Sequence, residues 1–274
     1  FSFTVTKFQL ILFTKVKMKA VILAGGLGTR ISEETYLKPK PMVEIGGMPI
    51  LWHIMKIYSH HGINDFIICC GYKGYMIKEY FKNYSLHMSD VTLNMINNSI
   101  EVHKKKTENW KITLVDTGEN TYTGGRLKRV AKYLKNEKNF CFTYGDGLSN
   151  LNISKSIDFH LKNKKLVTLT GVQVPGRYGS LDCKGNIVKK FLEKPLKDNS
   201  YINGGFFIIS KKALKYIKGD KTSWEAEPLK KLSLDKQLMV YKHKGFWHAM
   251  DTLRDKNYLE SLWQEKKAPW KLWV

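Results

Sequence analysis

Residues 20–30, AVILAGGLGTR, place a short apolar run directly before three glycines, a threonine and an arginine. A run that is apolar at every position is typical of a strand buried on both faces of a parallel sheet. Glycines after such a strand let backbone N–H groups approach phosphate oxygens closely, and Arg30 adds a fixed positive charge. The stretch therefore predicts a phosphate-binding loop. It is neither a Walker A sequence nor a dinucleotide fingerprint, because Gly-Lys-Ser/Thr is missing and Ile31 replaces the third glycine.

Similar apolar runs recur along the chain and alternate with helical patterns. The further runs occupy residues 65–70, 140–144, 166–170 and 204–210. Apolar residues spaced for one helix face occur at 51–58 and 127–134, and Thr123 is placed to cap the second of these helices. The alternation predicts an α/β fold with a Rossmann-like, mostly parallel sheet and flanking helices.

The pattern changes at Gly179. Residues 179–195, GSLDCKGNIVKKFLEKP, read as two short strands around a Lys-Gly-Asn turn, which predicts a small β-rich lobe on the substrate side. No repeat or long linker interrupts the chain after Met18, so we expect one domain over residues 18–274. Residues 1–17 contain an apolar patch too short to span a bilayer and no signal-peptide pattern, and we expect them to be an extension outside the fold.

The composition bounds the class of protein. Of 274 residues, 43% are hydrophobic, which is enough for an ordinary core, and the formal net charge is +22. Such a charge suggests nucleic-acid binding, but five of the 46 basic residues are arginine and the rest are dispersed lysines. Base-reading proteins favour arginine for its planar fork. We therefore expect neither a nucleic-acid nor a membrane partner, and we interpret the basic run 103–111 as a solvated loop.

Two lysines lie close to the glycine loop in the sequence. In Lys38, Pro39, Lys40 and Pro41, each proline pushes the preceding lysine toward an extended backbone. Such a segment lays its side chains along a cleft, where an ammonium group neutralises the charge that develops on a leaving group.

Two aspartates follow apolar runs. Asp146 stands between two glycines after the run at 140–144, and Asp251 follows the strand-like residues 245–250. The carboxyl ends of strands in an open sheet form the ligand crevice. Magnesium takes one or two protein carboxylates and fills its other positions with phosphate oxygens and water. The pair therefore predicts a Mg²⁺ site, with Asp146 and Asp251 as ligands.

Residues of the second lobe suit a sugar phosphate. Glu193 and Lys194 place an acceptor beside a cation, and Asn203 opens a buried strand where its amide can meet a bound ligand. A sugar hydroxyl pair and a phosphate would use these groups well.

Together, LAGGLGTR, KPKPMVEIGG, the Gly-Asp-Gly after a strand, Glu-Lys-Pro and the late Met-Asp-Thr resemble the sugar-phosphate nucleotidyltransferases. Longer stretches, such as VDTGENTYTGGRLKRV, resemble the branch of that family that uses CTP and glucose 1-phosphate. The resemblance runs from Met18 nearly to the end of the chain. It implies the nucleotide-diphospho-sugar transferase fold and the reaction of CTP with α-D-glucose 1-phosphate to CDP-glucose and pyrophosphate. The sugar phosphate would attack the α-phosphorus in line, without an enzyme nucleophile.

The resemblance also implies roles for individual residues. Arg30 and Lys40 would be catalytic, Glu193, Lys194 and Asn203 would bind the sugar phosphate, and Lys40 fits the phosphate-binding position better than Lys38. The nucleotide would contact Leu23, Ala24, Gly25, Gly26, Leu27, Gly28, Thr29, Arg30, Lys40, Thr121, Arg126 and Gly145. Gly124 and Gly125 would open a helix whose N-terminus points toward an anion.

Further expectations follow from the same resemblance. It implies a homo-oligomer, typically a hexamer, a cytoplasmic location, and a product used for lipopolysaccharide and O-antigen sugars. Two alternatives stay open at this point. The same fold could use UTP, dTTP or another sugar 1-phosphate, or the chain could be a non-catalytic regulatory or nucleic-acid-binding relative.

Overall fold

The structure, a computed structural model, describes residues 18–173, 180–184, 187–192 and 201–273. In these ranges the strands are β1 (Lys19–Ala24), β2 (Glu44–Ile45), β3 (Met48–Pro49), β4 (Asp65–Cys70), β5 (Ser89–Asn94), β6 (Ser99–Lys105), β7 (Lys111–Asp116), β8 (Asn139–Tyr144), β9 (Gly147–Ser149), β10 (Val167–Val172), β11 (Ser180–Lys184), β12 (Ile187–Leu192), β13 (Ile202–Ser210), β14 (Leu238–His243) and β15 (Trp247–Ala249). The α-helices are α1 (Ser32–Thr35), α2 (Ile50–His60), α3 (Gly74–His87), α4 (Thr123–Arg129), α5 (Ile153–Asn163), α6 (Glu227–Leu234) and α7 (Leu253–Gln264). Short 3₁₀ helices cover Thr29–Ile31, Lys40–Met42, Val130–Leu134 and Lys211–Tyr216.

A seven-stranded sheet in the order β14-β10-β13-β8-β1-β4-β7 forms the centre of the molecule. Parallel pairs join β1 to β4 and β8, β4 to β7, and β10 to β14. Strand β13 runs antiparallel to both of its neighbours, β8 and β10. The mostly parallel α/β sheet predicted from the sequence is confirmed. Among the described residues, β13 is the one strand of this seven-stranded sheet that runs opposite to the others.

The sheet is buried on both faces, which explains the uninterrupted apolar runs. Along β1, Ala20 and Ile22 face one apolar cluster and Val21 and Leu23 face the other. Helices α2, α5 and α7 cover the first face, and α4 and α6 cover the second. With both faces covered, the carboxyl ends of β1, β4 and β8 are left to form a site.

Most elements lie where the sequence predicts them, with three corrections. The predicted helix at 127–134 is an α-helix only to Arg129 and continues as a 3₁₀ helix. Thr123 does not cap α4: it is the first helical residue, and its hydroxyl contacts Glu225 instead. The predicted loop at 103–111 begins as strand, because β6 extends to Lys105.

The predicted hairpin of the second lobe is confirmed, since β11 and β12 pair antiparallel. Residues 1–17 lie outside the described residues, so their exclusion from the domain remains a prediction. Among the helices in the described ranges, none has both the length and the apolar character needed to cross a bilayer.

An aromatic cluster holds the C-terminal segment against α2. His53 is fully buried, its ring stacks edge-on against Trp263 with centroids 4.8 Å apart, and its Nε2 lies 2.8 Å from the carbonyl oxygen of Ile45. Trp270 donates its indole N–H to Nδ1 of His53 at 3.4 Å. The carbonyl oxygen can only accept, so the neutral ring with hydrogen on Nε2 satisfies both contacts. Burial lowers the pKa of His53 from 6.5 to about 4.

Acidification is expected to weaken the fold through His53. The folded-state pKa lies below the unfolded value of 6.5, so the unfolded chain takes up the proton first and stability falls as pH drops from 6.5 toward 4. Between pH 6.5 and pH 5 the expected loss in the free energy of unfolding is about 2 kcal/mol. Urea unfolding across this range checks the value as a difference between variants: His53→Gln should remove about 2 kcal/mol of the wild-type pH dependence, whereas His87→Gln at an exposed position should remove none. The remainder belongs to other buried histidines such as His160, whose pKa burial also lowers to about 4. An unchanged slope in His53→Gln would contradict the assignment.

Candidate active site

A cavity of about 700 Å³ opens at the carboxyl ends of β1 and β8. Every residue predicted to bind the nucleotide lines it, together with Asp146: Leu23, Ala24, Gly25, Gly26, Leu27, Gly28, Thr29, Arg30, Lys40, Thr121, Arg126 and Gly145. The strand order explains why these residues lie together. Strands β1 and β8 are parallel neighbours, so the loops that follow them leave the sheet at the same edge.

Asp251 reaches this edge by a route that the sequence did not predict. Strand β15, which ends two residues before Asp251, is not part of the main sheet but forms a two-stranded antiparallel ribbon with β9, with Ala249 opposite Gly147. Met250 also donates its backbone N–H to the carbonyl oxygen of Asp146 at 2.9 Å. The ribbon therefore brings the two aspartates side by side.

Lys40 connects both aspartates. Its Nζ donates to Asp146 Oδ2 at 2.6 Å and to Asp251 Oδ1 at 2.8 Å, and Arg30 donates to Asp251 Oδ2 at 2.9 Å. Burial of Lys40 acts to lower its pKa, but the charges and hydrogen bonds of Asp146 and Asp251 outweigh burial, so the pKa of Lys40 is raised. The side chain is therefore a permanently charged ammonium group, 9% exposed, at the centre of the cluster.

The neighbouring lysine points elsewhere. Lys38 donates to Glu44 Oε1 at 2.8 Å and does not line the cavity. Lys40 begins a 3₁₀ helix, for which Pro39 supplies an extended backbone at the preceding position. Of the two lysines, Lys40 is therefore the one that lines the cavity, and its role as the phosphate-binding lysine stays a prediction.

The donor set at this point suits a hard divalent cation. One carboxylate oxygen of Asp146 and one of Asp251 converge within 2.8 Å of a single position, which is the Lys40 nitrogen. Magnesium prefers oxygen ligands and commonly takes no more than two protein carboxylates. Within the ranges that the structure describes, no group of three or more His, Cys, Asp or Glu side chains could hold a metal ion. The two carboxylates are an oxygen donor set of the kind that Mg²⁺ takes, and in this structure they hold the Lys40 ammonium group.

Arg126 lines the cavity, and its guanidinium group forms hydrogen bonds to oxygen atoms of the protein. It is 4% exposed, and it donates to the carbonyl oxygens of Gly25 (2.9 Å), Cys70 (3.2 Å) and Glu119 (2.9 Å) and to the Thr117 hydroxyl (2.8 Å). These four bonds tie the glycine loop to the ends of β4 and to the loop after β7. Arg126 therefore holds the cavity walls together, and its direct contact with the nucleotide stays a prediction.

The N–H groups at the start of α4, which were predicted to face an anion, donate to a carbonyl oxygen of the protein instead. Gly124 and Gly125 both donate their N–H groups to the carbonyl oxygen of Thr222, at 3.0 and 3.2 Å. A Cβ atom on Gly125 would lie 2.4 Å from the carbonyl oxygen of Asp220, so glycine is needed for this backbone approach. The expectation of an anion at the start of α4 is wrong. The two glycines instead let the backbone at 220–222 pack on the helix.

A second, smaller cavity of about 180 Å³ adjoins the first. Asn203, predicted to bind the sugar phosphate, lines it together with Trp247, Asp251 and Asp146. Arg30, Tyr144 and Asp146 line both cavities, so the two compartments meet at the lysine–aspartate cluster. The predicted sugar-phosphate residues Glu193 and Lys194 lie outside the described residues.

Several residues of the site were not predicted. Tyr144 comes directly before Gly145 and Asp146 in the sequence, and this adjacency to two predicted site residues could have indicated that it also lines the site. Ser223 and Lys221 line the larger cavity, and the nearby Glu225 receives hydrogen bonds from its wall. These three belong to a segment without a recognisable motif, so only the folded structure reveals them.

Comparison with known proteins gives consistent results. The sequence model of the nucleotidyl transferase family matches residues 19–255. A glucose-1-phosphate cytidylyltransferase of Salmonella typhimurium is 62% identical over 256 residues, which cover 93% of this chain and 100% of that protein. A probable glucose-1-phosphate cytidylyltransferase of Bacillus subtilis is 44% identical over 257 residues, with coverages of 93% and 100%.

Solved structures agree in fold. HddC of Yersinia pseudotuberculosis, complexed with GMP-PN, superposes with a TM-score of 0.65 at 28% identity, covering 90% of this chain and 99% of that one. A UDP-glucose pyrophosphorylase complexed with UDP-glucose superposes with a TM-score of 0.63 at 16% identity, with coverages of 91% and 99%. The second likeness concerns the fold alone.

Proposed function

The chain belongs to the nucleotidyl transferase family, and from this premise we propose that it transfers the cytidylyl group of CTP to α-D-glucose 1-phosphate, giving CDP-glucose and pyrophosphate. The choice of these substrates follows the relatives that share 62% and 44% of its residues over nearly their whole length. The alternative of a non-catalytic relative is disfavoured, because both of those relatives carry the name of an enzyme.

One observation of the structure supports the chemistry most directly. Lys40, Asp146 and Asp251 form a hydrogen-bonded cluster where the 700 Å³ cavity meets the 180 Å³ cavity. The larger cavity can hold a nucleoside triphosphate along the glycine loop, and the smaller one suits a hexose phosphate beside Asn203. The α-phosphorus and the attacking phosphate oxygen would then meet at the boundary of the two cavities.

The proposed reaction needs positioning and charge stabilisation. A phosphate oxygen of glucose 1-phosphate forms a bond to the α-phosphorus while the bond from that phosphorus to the β-phosphate oxygen breaks, and pyrophosphate leaves with the electron pair. The attacking oxygen is already anionic, so no side chain has to remove a proton. The ammonium group of Lys40 and the guanidinium group of Arg30 donate to the phosphate oxygens on which charge develops.

We further propose that Asp146 and Asp251 bind Mg²⁺ in the nucleotide complex. Bound there, the ion would neutralise phosphate charge and orient the triphosphate for in-line attack. The carboxylates have a second function toward Lys40, because their two hydrogen bonds hold its ammonium group at the boundary between the cavities. Binding of a cation by the same oxygens would leave that ammonium group available to phosphate.

Location and assembly remain predictions. CTP and sugar phosphates are metabolites of the cytoplasm, so the proposal includes a cytoplasmic location. The homo-oligomer implied by the resemblance, typically a hexamer, and the use of the product for lipopolysaccharide and O-antigen sugars also stay predictions.

Substrate choice is tested with the four ribonucleoside triphosphates and dTTP, each supplied with glucose 1-phosphate and Mg²⁺. We expect CTP to give a kcat/KM at least about 100-fold above UTP and dTTP, because a site that hydrogen-bonds one base leaves buried groups unpaired with another. Pyrophosphate release measures the rate, and the nucleotide sugar is identified by mass spectrometry. Faster turnover with UTP or dTTP than with CTP would show that the cytidylyl assignment is wrong.

A further inference from the structure

Tyr144 stands at the junction of the two cavities. It lines the larger cavity together with the glycine loop and the smaller one together with Asn203, and the other residues that line both are Arg30 and Asp146. Arg30 and Asp146 already have proposed roles at the reacting phosphates. Tyr144 is therefore the boundary residue whose contribution is still to be explained.

The ring and hydroxyl of Tyr144 are held in one orientation. Gly205 has a φ of +78°, and a Cβ atom on it would lie 2.7 Å from Cδ2 of Tyr144, so the ring rests directly on backbone. The hydroxyl donates to Glu225 Oε1 at 2.6 Å and accepts from Nδ2 of Asn203 at 3.3 Å. Burial, followed by the charge and the hydrogen bond of Glu225, raises the pKa of Tyr144 well above its usual value. The phenol consequently stays protonated and keeps donating to Glu225.

Glu225 also accepts hydrogen bonds from two more hydroxyl groups that line the larger cavity. Its Oε2 accepts from Thr123 Oγ1 and from Ser223 Oγ, both at 2.6 Å. Tyr144, Thr123 and Ser223 all line the larger cavity and come from three separate segments, the end of β8, the start of α4 and the segment before α6. One carboxylate thus fixes three hydroxyl groups around the substrate space.

The direction of these hydrogen bonds determines what the wall offers to a ligand. An ionised carboxylate accepts hydrogen bonds and donates none, so all three hydroxyl hydrogens point toward Glu225. A hydroxyl group whose hydrogen is committed in this way has only lone pairs left to offer. Thr123 Oγ1 uses one of them to accept from the backbone N–H of Trp224 at 2.9 Å, and the Tyr144 hydroxyl uses one to accept from Asn203, so each keeps one lone pair for a ligand. The wall therefore presents hydrogen-bond acceptors, and the matching partners are donors such as the hydroxyl groups of a sugar.

We propose that Glu225 is a positioning residue that, through Tyr144, Thr123 and Ser223, orients acceptor oxygens toward the hydroxyl groups of both sugar-bearing substrates. The inference rests on the proposed function, because it takes the ribose of the nucleotide and the hexose of the sugar phosphate as the two ligands. The Tyr144 hydroxyl, which already contacts Asn203 of the smaller cavity, offers its one remaining lone pair to the hexose. Thr123 and Ser223 line the larger cavity and not the smaller one, so they face the ribose, and Glu225 acts through the hydroxyl groups that it holds.

The test compares Tyr144→Phe, Glu225→Gln and the double variant in steady-state assays with each substrate varied in turn. Tyr144→Phe keeps the ring on Gly205 and removes the oxygen, and we expect the KM for glucose 1-phosphate to rise about tenfold, the usual cost of one hydrogen bond to a ligand, with a smaller change in the KM for CTP. Glu225→Gln keeps the size of the side chain but introduces an NH₂ donor, so it should raise the KM for glucose 1-phosphate through Tyr144 and the KM for CTP through Thr123 and Ser223. In both variants kcat should change much less than KM.

The double variant shows whether Glu225 acts through Tyr144. Residues that act on a ligand through one shared group give non-additive effects. We expect the rise in the KM for glucose 1-phosphate in the double variant to stay clearly below the product of the two single effects. Full additivity would overturn the role of Glu225 as a positioning residue for Tyr144.

A matched pair on the surface provides the control. Tyr216 donates to Asp235 Oδ2 at the same 2.6 Å, and neither residue lines the two cavities. Tyr216→Phe and Asp235→Asn should leave both KM values unchanged. Unaltered KM values in Tyr144→Phe or in Glu225→Gln, with thermal midpoints like that of the wild type, would overturn the inference.

The wild-type enzyme in the same assay separates this inference from the proposed function. If the wild type makes CDP-glucose and the variants match it, the inference fails and the function stands. If the wild type makes no nucleotide sugar from any triphosphate, the proposed function fails and this inference fails with it.

Discussion

Replacing Lys40 with alanine is expected to lower kcat by about 10²- to 10³-fold, the usual cost of losing one preorganised charge at a developing anion. The ammonium group is nearly buried and lies 2.6 Å from Asp146 and 2.8 Å from Asp251, so water cannot replace it at the same position without loss. The effect should fall mainly on kcat, because the group acts most strongly on charge that appears in the transition state. Steady-state kinetics with CTP and glucose 1-phosphate measure both parameters.

Lys38→Ala is the matched control for this experiment. Lys38 lies two residues away in the same proline-containing segment, yet its ammonium group pairs with the half-exposed Glu44. Surface ion pairs of this kind contribute little, so kcat should change by less than about twofold. An equal or larger loss in Lys38→Ala would mean that the wrong lysine has been assigned.

The second large effect is expected at the aspartates. Asp146→Asn and Asp251→Asn should each lower kcat by about 10³-fold, because losing a metal-binding carboxylate removes several kcal/mol of charge stabilisation. The direct readout is binding of Mn²⁺, followed by electron paramagnetic resonance in the presence of CTP. Each variant should bind the ion more weakly than the wild type, whatever its activity.

Asp65→Asn is the control for the aspartate variants. The Asp65 side chain is 26% exposed and lies 3.8 Å from a lysine, Lys111, and the Asp146 side chain is also 26% exposed and pairs with a lysine. Asp65 begins β4, whereas the site lies beyond the carboxyl end of that strand. Its replacement should change neither kcat nor Mn²⁺ binding. Normal turnover and normal ion binding in both Asp146→Asn and Asp251→Asn would rule out the metal site.

The local features of the site could be predicted from the sequence because short segments encode them. The run before Gly25 is apolar on both strand faces, and β1 is buried on both sides. Gly145 and Asp146 follow β8 directly, so knowing that β1 and β8 are parallel neighbours is enough to bring them to the glycine loop. The family resemblance added the roles of the individual residues.

The errors arose where a local pattern had more than one structural use. Gly124 and Gly125 can expose a helix N-terminus to an anion or admit a neighbouring backbone, and a sequence does not distinguish the two. Thr123 can cap its own helix or bond to a distant carboxylate. In both cases the segment at 220–225 decides the outcome, and it lies about a hundred residues further along the chain, as the separation of 102 between Thr123 and Glu225 shows.

By itself, the sequence determined the α/β class, the strand that leads into the glycine loop, and the set of charged residues to which we assign the chemistry. Only the tertiary structure decided that Lys40 rather than Lys38 joins the aspartates, that Arg126 braces the cavity walls, and that Glu225 orients the hydroxyl groups around Tyr144. The physical reason is that strand burial and glycine loops depend on neighbours in the chain. Hydrogen bonds such as that of Lys40 to Asp146, 106 residues apart, depend on how the completed sheet brings its edges together.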